Sequence, residues 1–472
     1  MSLRRACPSV KSLGASCRRS AAILPFQASR CRRSISSSLP RETQGVFRSL
    51  TDSRCKRAWI DAFTEIQAGE HGKAPAAAKS SEPAQRDLSP RKMRDSYHSV
   101  VLPLKQDKWL GDQYLNSSGH IRFGTIMMDL DALSGIIAYK HTGDSVMTVT
   151  AACDRIIINN PLTEICDLEY SGKVTYATGR SSMEITVQVA KAPPAGQTAK
   201  DEDVVLTCQF TMVSLDRKTR KPVSIPAVIP ETADEKRAFS EGEKNSKHRK
   251  KLKDRSLLRQ TPNDEESDLI HAMWQRQLQY HDPNDPLRRP DNVQLMEATK
   301  LSTASIMQPE YRNRHDTLIF GGFLLKQTFE LAFCCAASFA HARPTFVSLD
   351  PSTFQNPVPV GSVLYLTAQV VFTDPPLVEG ASDSNHDHNQ SRDSVTRVQV
   401  RVDSKVRNVE HGETKPTGQF NYTFTVPKDA KVMPKSYSEF MMYIDARRRL
   451  ERVKESLLKG EGDDGAKERV TE

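Results

Sequence analysis

The sequence predicts an α+β protein in which two similar domains follow one another, each with an antiparallel sheet wrapped around one long helix. An internal repeat and the same order of helix and strand patterns in both copies carry this prediction. The 472 residues exceed one ordinary hydrophobic core and suffice for two domains of about 150 residues each, with extensions to spare.

The repeat is visible in residues that recur at a nearly constant offset. Three residues recur 197 positions later, Asn116, Phe123 and Gly124 as Asn313, Phe320 and Gly321. Three more recur 196 positions later, Asp154, Asn160 and Pro161 as Asp350, Asn356 and Pro357. Two ordered groups of matches at almost one offset indicate a duplicated domain.

Each copy begins with an apolar stretch at helical spacing, Arg122–Tyr139 in the first and Phe320–His341 in the second. Runs rich in β-branched residues follow in both: Val146–Ile158, Cys166–Thr178, Ser182–Lys191 and Val204–Leu215, then Thr345–Asp350, Val363–Thr373, Ser394–Val406 and Gln419–Val426. Because no second helix covers the first, each sheet must wrap its helix. The sequence therefore predicts tandem hotdog domains, a double hotdog.

The expected organisation has six parts. They are a mitochondrial transit peptide at 1–40, an N-terminal extension at 41–92, hotdog domain 1 at 93–230, a charged helical linker at 231–290, hotdog domain 2 at 291–430 and a charged helical tail at 431–472. We interpret the linker as a lid-like insertion. Its basic run His248–Lys251 is either a solvated face or a contact for ligand phosphates.

The charge balance is concentrated at the N-terminus. Residues 1–40 hold eight Arg and Lys and no acidic residue, which is typical of a transit peptide and predicts the mitochondrial matrix. A basic tail that binds nucleic acid or membrane is the alternative. Removing this segment takes eight positive charges from the formal net charge of +9 and leaves +1, so we expect no nucleic-acid partner.

Metal binding and membrane insertion are not expected. The nine cysteines include no CxxC pair and lack metal-ligand spacing. The longest apolar run, about Leu331–Ala340, is shorter than the roughly 18 residues that a transmembrane helix requires. We therefore predict no metal and no stable membrane insertion.

The candidate chemistry lies at the starts of the two helices. Both place glycine at a helix N-terminus, where free backbone N–H groups and the helix dipole can stabilise a carbonyl oxygen that becomes negative. Asp131 lies seven residues after Gly124, two turns into the first helix. A buried Asp can also be a satisfied structural residue. If the two domains pair, this acid can face the glycine loop of the other domain as a general base or nucleophile.

Four segments resemble the paired motifs of the mitochondrial acyl-coenzyme A thioesterase 9 family. They are Asn116–Gly124, Leu130–Gly135, Ile319–Leu324 and Phe329–Phe333. The resemblance runs from about Met93 to Pro427. It implies a double hotdog that hydrolyses acyl-CoA, uses no metal or redox cofactor, and forms a homo-oligomer, a trimer of such units.

The resemblance also implies two composite sites. In one, Asp131 activates water or attacks the thioester carbonyl, Asn313 of the opposite domain orients the water or substrate, and the Gly321 and Gly322 amides polarise the carbonyl. The reciprocal site pairs Glu330 with Asn116 and the amide of Gly124.

The copies are not identical at these positions. Thr125 stands where the second copy has Gly322, and Glu330 lies nine residues after Gly321 whereas Asp131 lies seven after Gly124. Two residues rotate a side chain by roughly 200° around a helix. We therefore expect Asp131 and the second-domain loop to form the working site, with Glu330 as a structural residue.

Two other functions stay open at this stage. A hotdog hydratase or dehydratase acting on acyl thioesters could use His120 or His315, although no histidine recurs at equivalent positions in both copies. A non-catalytic acyl-CoA binding or regulatory module would use the acids structurally. A Ser-His-Asp hydrolase is disfavoured, because the sequence contains no Gly-x-Ser-x-Gly elbow.

Overall fold

The computed structural model describes most of the chain after residue 85. The described residues are 86–158, 162, 164–193, 200–217, 219–254, 257, 260–280, 284, 288–313, 317–378 and 395–451. All of them belong to one compact unit, residues 42–472. The predicted transit peptide at 1–40 and residues 41–85 of the predicted extension lie outside the described residues.

Six helices with both ends in the described chain are numbered in order. They are α1 (Met93–Ser96), α2 (Lys108–Tyr114), α3 (Phe123–Thr142), α4 (Ala233–Asp254), α5 (Asp264–Gln279) and α6 (Gly321–Ala340). Residues 437–451 are also helical and are called the 437–451 helix.

The strands are numbered in the same way. They are β1 (Arg91–Lys92), β2 (His98–Leu102), β3 (Met147–Cys153), β4 (Ile156–Ile158), β5 (Leu168–Ala177), β6 (Ser182–Lys191), β7 (Val204–Leu215), β8 (Val228–Ile229), β9 (Val293–Leu295), β10 (Leu301–Ile306), β11 (Thr345–Leu349), β12 (Ser352–Phe354), β13 (Val363–Asp374), β14 (Thr396–Arg407), β15 (Thr414–Val426) and β16 (Lys431–Met433).

One 12-stranded sheet joins the two copies, with the order β10-β13-β14-β15-β11-β4-β7-β6-β5-β2 and with β3 and β12 beside this path. The copies meet where β11 pairs with β4 and β12 pairs with β3, both antiparallel. Leu349 lies opposite Ile156, and Ser352 lies opposite Cys153. This continuous hydrogen-bonded ladder fixes the position of one domain against the other.

Each half of the sheet covers one long helix, as the predicted double hotdog requires. The helix α3 packs on β5 and β6, and α6 packs on β13 and β14. Both helices end at a residue with positive φ, Gly143 with 74° and His341 with 48°. Nearly the whole length of α3 is buried, including Ile126, Leu130 and Leu133. The α+β double hotdog is confirmed.

The predicted elements agree with the structure except at junctions and edges. The two long helices and the two strands β6 and β7 lie where the sequence places them, to within three residues at any end. The predicted strand Val146–Ile158 is instead two strands, because the chain turns at Asp154 so that β3 pairs with β12 and β4 pairs with β11. The short strands β1, β8, β9, β12 and β16 and the edge strands β2 and β10 are not among the strands that the sequence predicts.

The repeat extends to a hydrogen bond in each sheet that the sequence did not reveal. The ladder is irregular after Val174 in β5 and after Val370 in β13. The amide of Val174 donates to Ser96 Oγ, and the amide of Val370 donates to Thr299 Oγ1, both at 3.0 Å. In each domain, a hydroxyl from the segment before the long helix (α3 or α6) thus accepts the amide at the irregular point of the strand ladder.

The first helix of the predicted linker and the helix of the predicted tail begin with the same capping box. In α4 the Glu235 carboxylate accepts the amides of Glu231 and Thr232, while the Glu235 amide donates to Thr232 Oγ1. In the 437–451 helix, Glu439 and Ser436 make the same reciprocal bonds. These capping boxes explain why both helices begin where they do.

The helix α4 covers the outer face of the first domain and is not a lid. The ring of Phe239 packs 5.0 Å from that of Tyr176 on β5. Glu184 of β6 contacts Asn245 and Arg249 of α4, whereas its neighbour Ile185 is fully buried in the core that contains α3. Because side chains alternate along a strand, α4 and α3 lie on opposite faces of the sheet.

Among the described residues, α6 is the helix whose length and apolar composition would allow it to cross a membrane. Of its most apolar window, 61% is buried inside the protein. This burial is that of a core helix wrapped by its own sheet.

We predict that Thr299→Val lowers the free energy of unfolding by about 1–3 kcal/mol, because the isosteric change leaves the buried amide of Val370 without its acceptor. Urea denaturation followed by circular dichroism measures this difference. Thr303→Val, on the exposed edge strand β10, is the matched control, with an expected change within about 0.5 kcal/mol. Equal stability of the two variants would contradict this assignment.

Candidate active site

Asp131 projects from the middle of α3 and is buried, with 1% of its surface exposed. Its Oδ1 accepts a hydrogen bond from Thr150 Oγ1 on β3 at 2.6 Å. Its Oδ2 accepts the backbone N–H of Gly322 on α6, also at 2.6 Å. The acid of the first domain therefore lies at the N-terminus of the helix of the second domain, as the sequence predicts.

Glycine at the start of α6 is required by the closeness of the two helices. A Cβ at Gly322 would lie 2.6 Å from the carbonyl oxygen of Met128 on α3. A Cβ at Gly321 would lie 3.1 Å from Asp131 Oδ2. Any side chain at position 322 would push the helices apart, and the carboxylate would lose the amide that holds it.

A cavity of about 470 Å³ adjoins Asp131 and receives residues from both copies of the repeat. Asn313 and Gly321 lie on its wall together with Asp131 and Thr150. The Asn313 loop is held by a backbone hydrogen bond from Asn313 to Leu318 at 2.6 Å. Three residues of the predicted site thus line one cavity. The fourth, Gly322, donates its amide to Asp131 on the cavity wall.

The reciprocal position is built differently. Glu330 is one-third exposed and forms an ion pair with Arg122, the residue before α3. A Cβ at Gly124 would lie 3.3 Å from the Phe329 ring and 3.6 Å from Glu330 Cγ, so Gly124 packs against α6 as Gly322 packs against α3. The Oδ1 of Asn116 accepts the amides of Ser118 and His120 and closes its own loop.

Thr328 is the residue that matches Asp131 at the offset of 197 positions. Its hydroxyl is fully buried and lies 2.8 Å from the Tyr422 hydroxyl and 2.8 Å from the Leu324 carbonyl oxygen. The Phe346 ring packs 5.4 Å from Phe123 and 5.3 Å from Phe329. Aromatic side chains therefore fill the place where the first copy has a carboxylate beside a cavity.

Sequence reasoning missed Thr150 and Arg122. Thr150 lies on a strand predicted from its β-branched residues, and a threonine there reads as ordinary strand composition. Arg122 comes directly before the helix and carried no signal of its partner, which lies 208 positions away. Both roles depend on contacts between the two copies.

Arg249 is the member of the linker's basic run whose side chain the structure describes, and it pairs with acidic residues of the first domain. Arg249 forms ion pairs with Asp154 and with Glu184, the second at 2.9 Å. Burial raises the pKa of Glu184, and the nearby Arg249 opposes that shift. The side chains of the other three residues of the run lie outside the described residues.

The described residues also bear on the two candidate histidines and on the question of a metal site. His120 is exposed, and its backbone amide donates to Asn116 Oδ1, while His315 lies outside the described residues. Within the described ranges, no group of three His, Cys, Asp or Glu residues could hold a metal ion.

Comparison with known proteins places this chain among thioesterases. No protein-family profile matches it. It is 35% identical over 378 residues to acyl-coenzyme A thioesterase 9, mitochondrial, of Homo sapiens, with 77% of this chain and 79% of the relative covered. The Mus musculus protein of that name is 34% identical over 376 residues, with the same coverage.

Among solved structures, an acyl-CoA hydrolase from Bacillus cereus is 24% identical and covers 35% of this chain and 93% of its own, at a TM-score of 0.29. A score of this size has no bearing on the assignment. The identity and coverage of the curated relatives confirm the resemblance of the helix-start motifs, and the chain belongs to the acyl-coenzyme A thioesterase 9 family.

Proposed function

We propose that this protein is an acyl-CoA thioesterase, which hydrolyses fatty acyl-CoA to a free fatty acid and CoA. The observation that carries the proposal is the Asp131 carboxylate, held by Thr150 and by the Gly322 amide at the start of α6 beside a cavity. A carboxylate beside a helix N-terminus supplies a base and a polarising dipole at one point. The activity of the relatives agrees with this chemistry.

In the proposed reaction, Asp131 takes a proton from water while the water oxygen forms a bond to the thioester carbonyl carbon. The carbonyl π electrons move to its oxygen, which becomes an oxyanion. When the carbonyl re-forms, the carbon–sulfur bond breaks and its electron pair leaves on the CoA sulfur. The proton held by Asp131 passes to the thiolate and restores the carboxylate. Direct attack by Asp131, followed by hydrolysis of the anhydride, uses the same residues.

The other residues of this site have proposed roles that follow from their positions. Gly321 is the first residue of α6, where an amide has no partner within the helix and can donate to the carbonyl oxygen. The Gly322 amide donates to Asp131 in the structure, and its proposed role is to polarise the carbonyl once the carboxylate has taken a proton. Asn313 lines the cavity and orients the water or the substrate.

We assign structural roles to the residues of the reciprocal site. Glu330 neutralises Arg122, Gly124 permits the approach of α3 to α6, and Asn116 shapes the loop before α3. The proposed domains at 93–230 and 291–430 then provide one working site between them. The unequal filling of the two positions supports this assignment.

We also propose a mitochondrial protein that functions in the matrix as a trimer of double hotdogs. The Arg-rich, acid-free segment at 1–40 and the mitochondrial relatives support the location. The trimer rests on the family resemblance. Light scattering of the purified protein tests the trimer, and imaging of a tagged full chain with submitochondrial fractionation tests the matrix location.

Asp131→Asn should lower kcat for acyl-CoA hydrolysis by at least ~10²-fold with little change in fold, because it removes the base but keeps the shape and one hydrogen-bond acceptor. Thiol release from short- to long-chain acyl-CoAs measures the rate. Glu330→Gln is the matched control and should stay within about threefold of the native rate, because its partner Arg122 is partly exposed.

Activity that survives Asp131→Asn and disappears in Glu330→Gln would transfer the reaction to the reciprocal site. If the native protein releases no thiol from any acyl-CoA, the thioesterase proposal fails. Hydration of enoyl-CoA would then favour the hydratase, and binding without turnover would favour the regulatory module.

Thr150→Val should lower kcat by about tenfold, because a charge-assisted hydrogen bond to Asp131 Oδ1 is lost and the carboxylate is less well oriented. Thr150→Ser keeps the hydroxyl and should restore most of the rate. Equal losses in both variants would contradict this role, because Thr150→Ser retains the hydroxyl. A native rate in Thr150→Val would show that the hydroxyl does not matter.

A further inference from the structure

A basic turn follows β7 at the edge of the Asp131 cavity. Within residues 216–221 the Asp216 side chain accepts both the amide of Thr219 at 2.8 Å and its hydroxyl at 3.1 Å. The Arg220 amide donates to the Asp216 carbonyl at 2.9 Å, and the Asp216 amide donates to the Lys221 carbonyl at 2.8 Å. These bonds hold Arg220 in a left-handed conformation, with φ 54°.

Arg220 lines the same cavity as Asp131 and is itself exposed. The described residues give its side chain no ion pair or hydrogen bond. Two other arginines that contact the first domain are occupied: Arg217 donates to the Asp144 carbonyl, and Arg249 binds two carboxylates. An available guanidinium on the wall of a substrate cavity is suited to an anionic part of that substrate.

The turn is present in one copy of the repeat. Twelve residues, 216–227, separate β7 from β8, whereas four residues, 427–430, separate the equivalent strands β15 and β16. The longer connection belongs to the copy that carries Asp131 and the cavity. The shorter one belongs to the copy in which Thr328 and aromatic rings replace them. The extra residues therefore accompany the working site.

Arg220 lies some distance along the sheet from the reacting centre. Thr150, which binds Asp131, lies opposite Met212 on β7, and Met147 lies opposite Leu215, the last residue before the turn. Three residues of strand span about 10 Å. A ligand that reaches both points needs its anionic group at the end of a long arm.

We propose that the 216–221 turn is the phosphate-binding edge of this cavity and that Arg220 binds a phosphate group of the CoA part of acyl-CoA. The inference rests on the proposed thioesterase function. CoA carries its phosphates beyond the pantetheine arm, away from the thioester, so the acyl group and sulfur lie at Asp131 while the phosphates lie at the turn. Arginine matches phosphate oxygens with paired N–H donors.

The test compares Arg220→Glu and Arg220→Ala on acyl-CoA and on the matching acyl-pantetheine, which lacks every phosphate. With acyl-CoA, we expect KM to rise about tenfold for Arg220→Glu and about threefold for Arg220→Ala, with kcat within twofold. With acyl-pantetheine, both variants should match the native protein. Lys428→Glu, in the short connection of the other copy, makes the same charge change and should leave both substrates unaffected.

Each outcome has one meaning. If the Arg220 variants lose equally on both thioesters, or leave KM for acyl-CoA unchanged, the phosphate assignment is wrong. If the native protein hydrolyses neither thioester, it is the proposed function that fails. When the main result is obtained, acyl-3′-dephospho-CoA shows which phosphate is bound. A variant effect that disappears with this substrate assigns the 3′-phosphate, and one that persists assigns the diphosphate.

Discussion

The close antiparallel approach of α3 and α6 is the constraint from which the site follows. At Gly322 the helices are so near that a Cβ would lie 2.6 Å from the Met128 carbonyl oxygen. At that separation Asp131 reaches the amide of Gly322, a contact that no single copy could make. The carboxylate also satisfies a helix N-terminus that has no side-chain cap of its own. The joined sheet outside the helices maintains this separation.

The two copies share a scaffold but differ at the position that faces the opposite helix. The hydroxyls of Ser96 and Thr299 satisfy equivalent amides, and the helices after both domains begin with the same capping box. These features stabilise each domain and take no part in the proposed reaction. At the positions facing the opposite helix, one copy has Asp131 beside a cavity, and the other has Thr328 bonded to Tyr422. A filled core stabilises a domain, whereas a cavity with a carboxylate costs stability and supports reaction.

The charged side chains divide in the same way. Arg249 and Arg122 bind carboxylates and connect elements distant in sequence, so they belong to the fold. Arg220 lies on a turn added to one copy, and the described residues supply no partner for its guanidinium. Basic residues in the sequence give no sign of this division, because a solvated arginine and a ligand-binding arginine have the same local composition.

The repeat, the two central helices, the main strands and Asp131 as a candidate acid can be read from the amino-acid sequence, because hydrophobic periodicity and a constant offset are local properties of the chain. The folded chain was needed to show that Thr150 and Gly322 hold Asp131, that Glu330 pairs with Arg122, and that α4 covers an outer face. These contacts depend on strand register and helix separation, which join residues up to about 200 positions apart. No local pattern in the sequence encodes contacts between residues so far apart in the chain. The sequence could therefore identify candidate site residues but not the contacts between them.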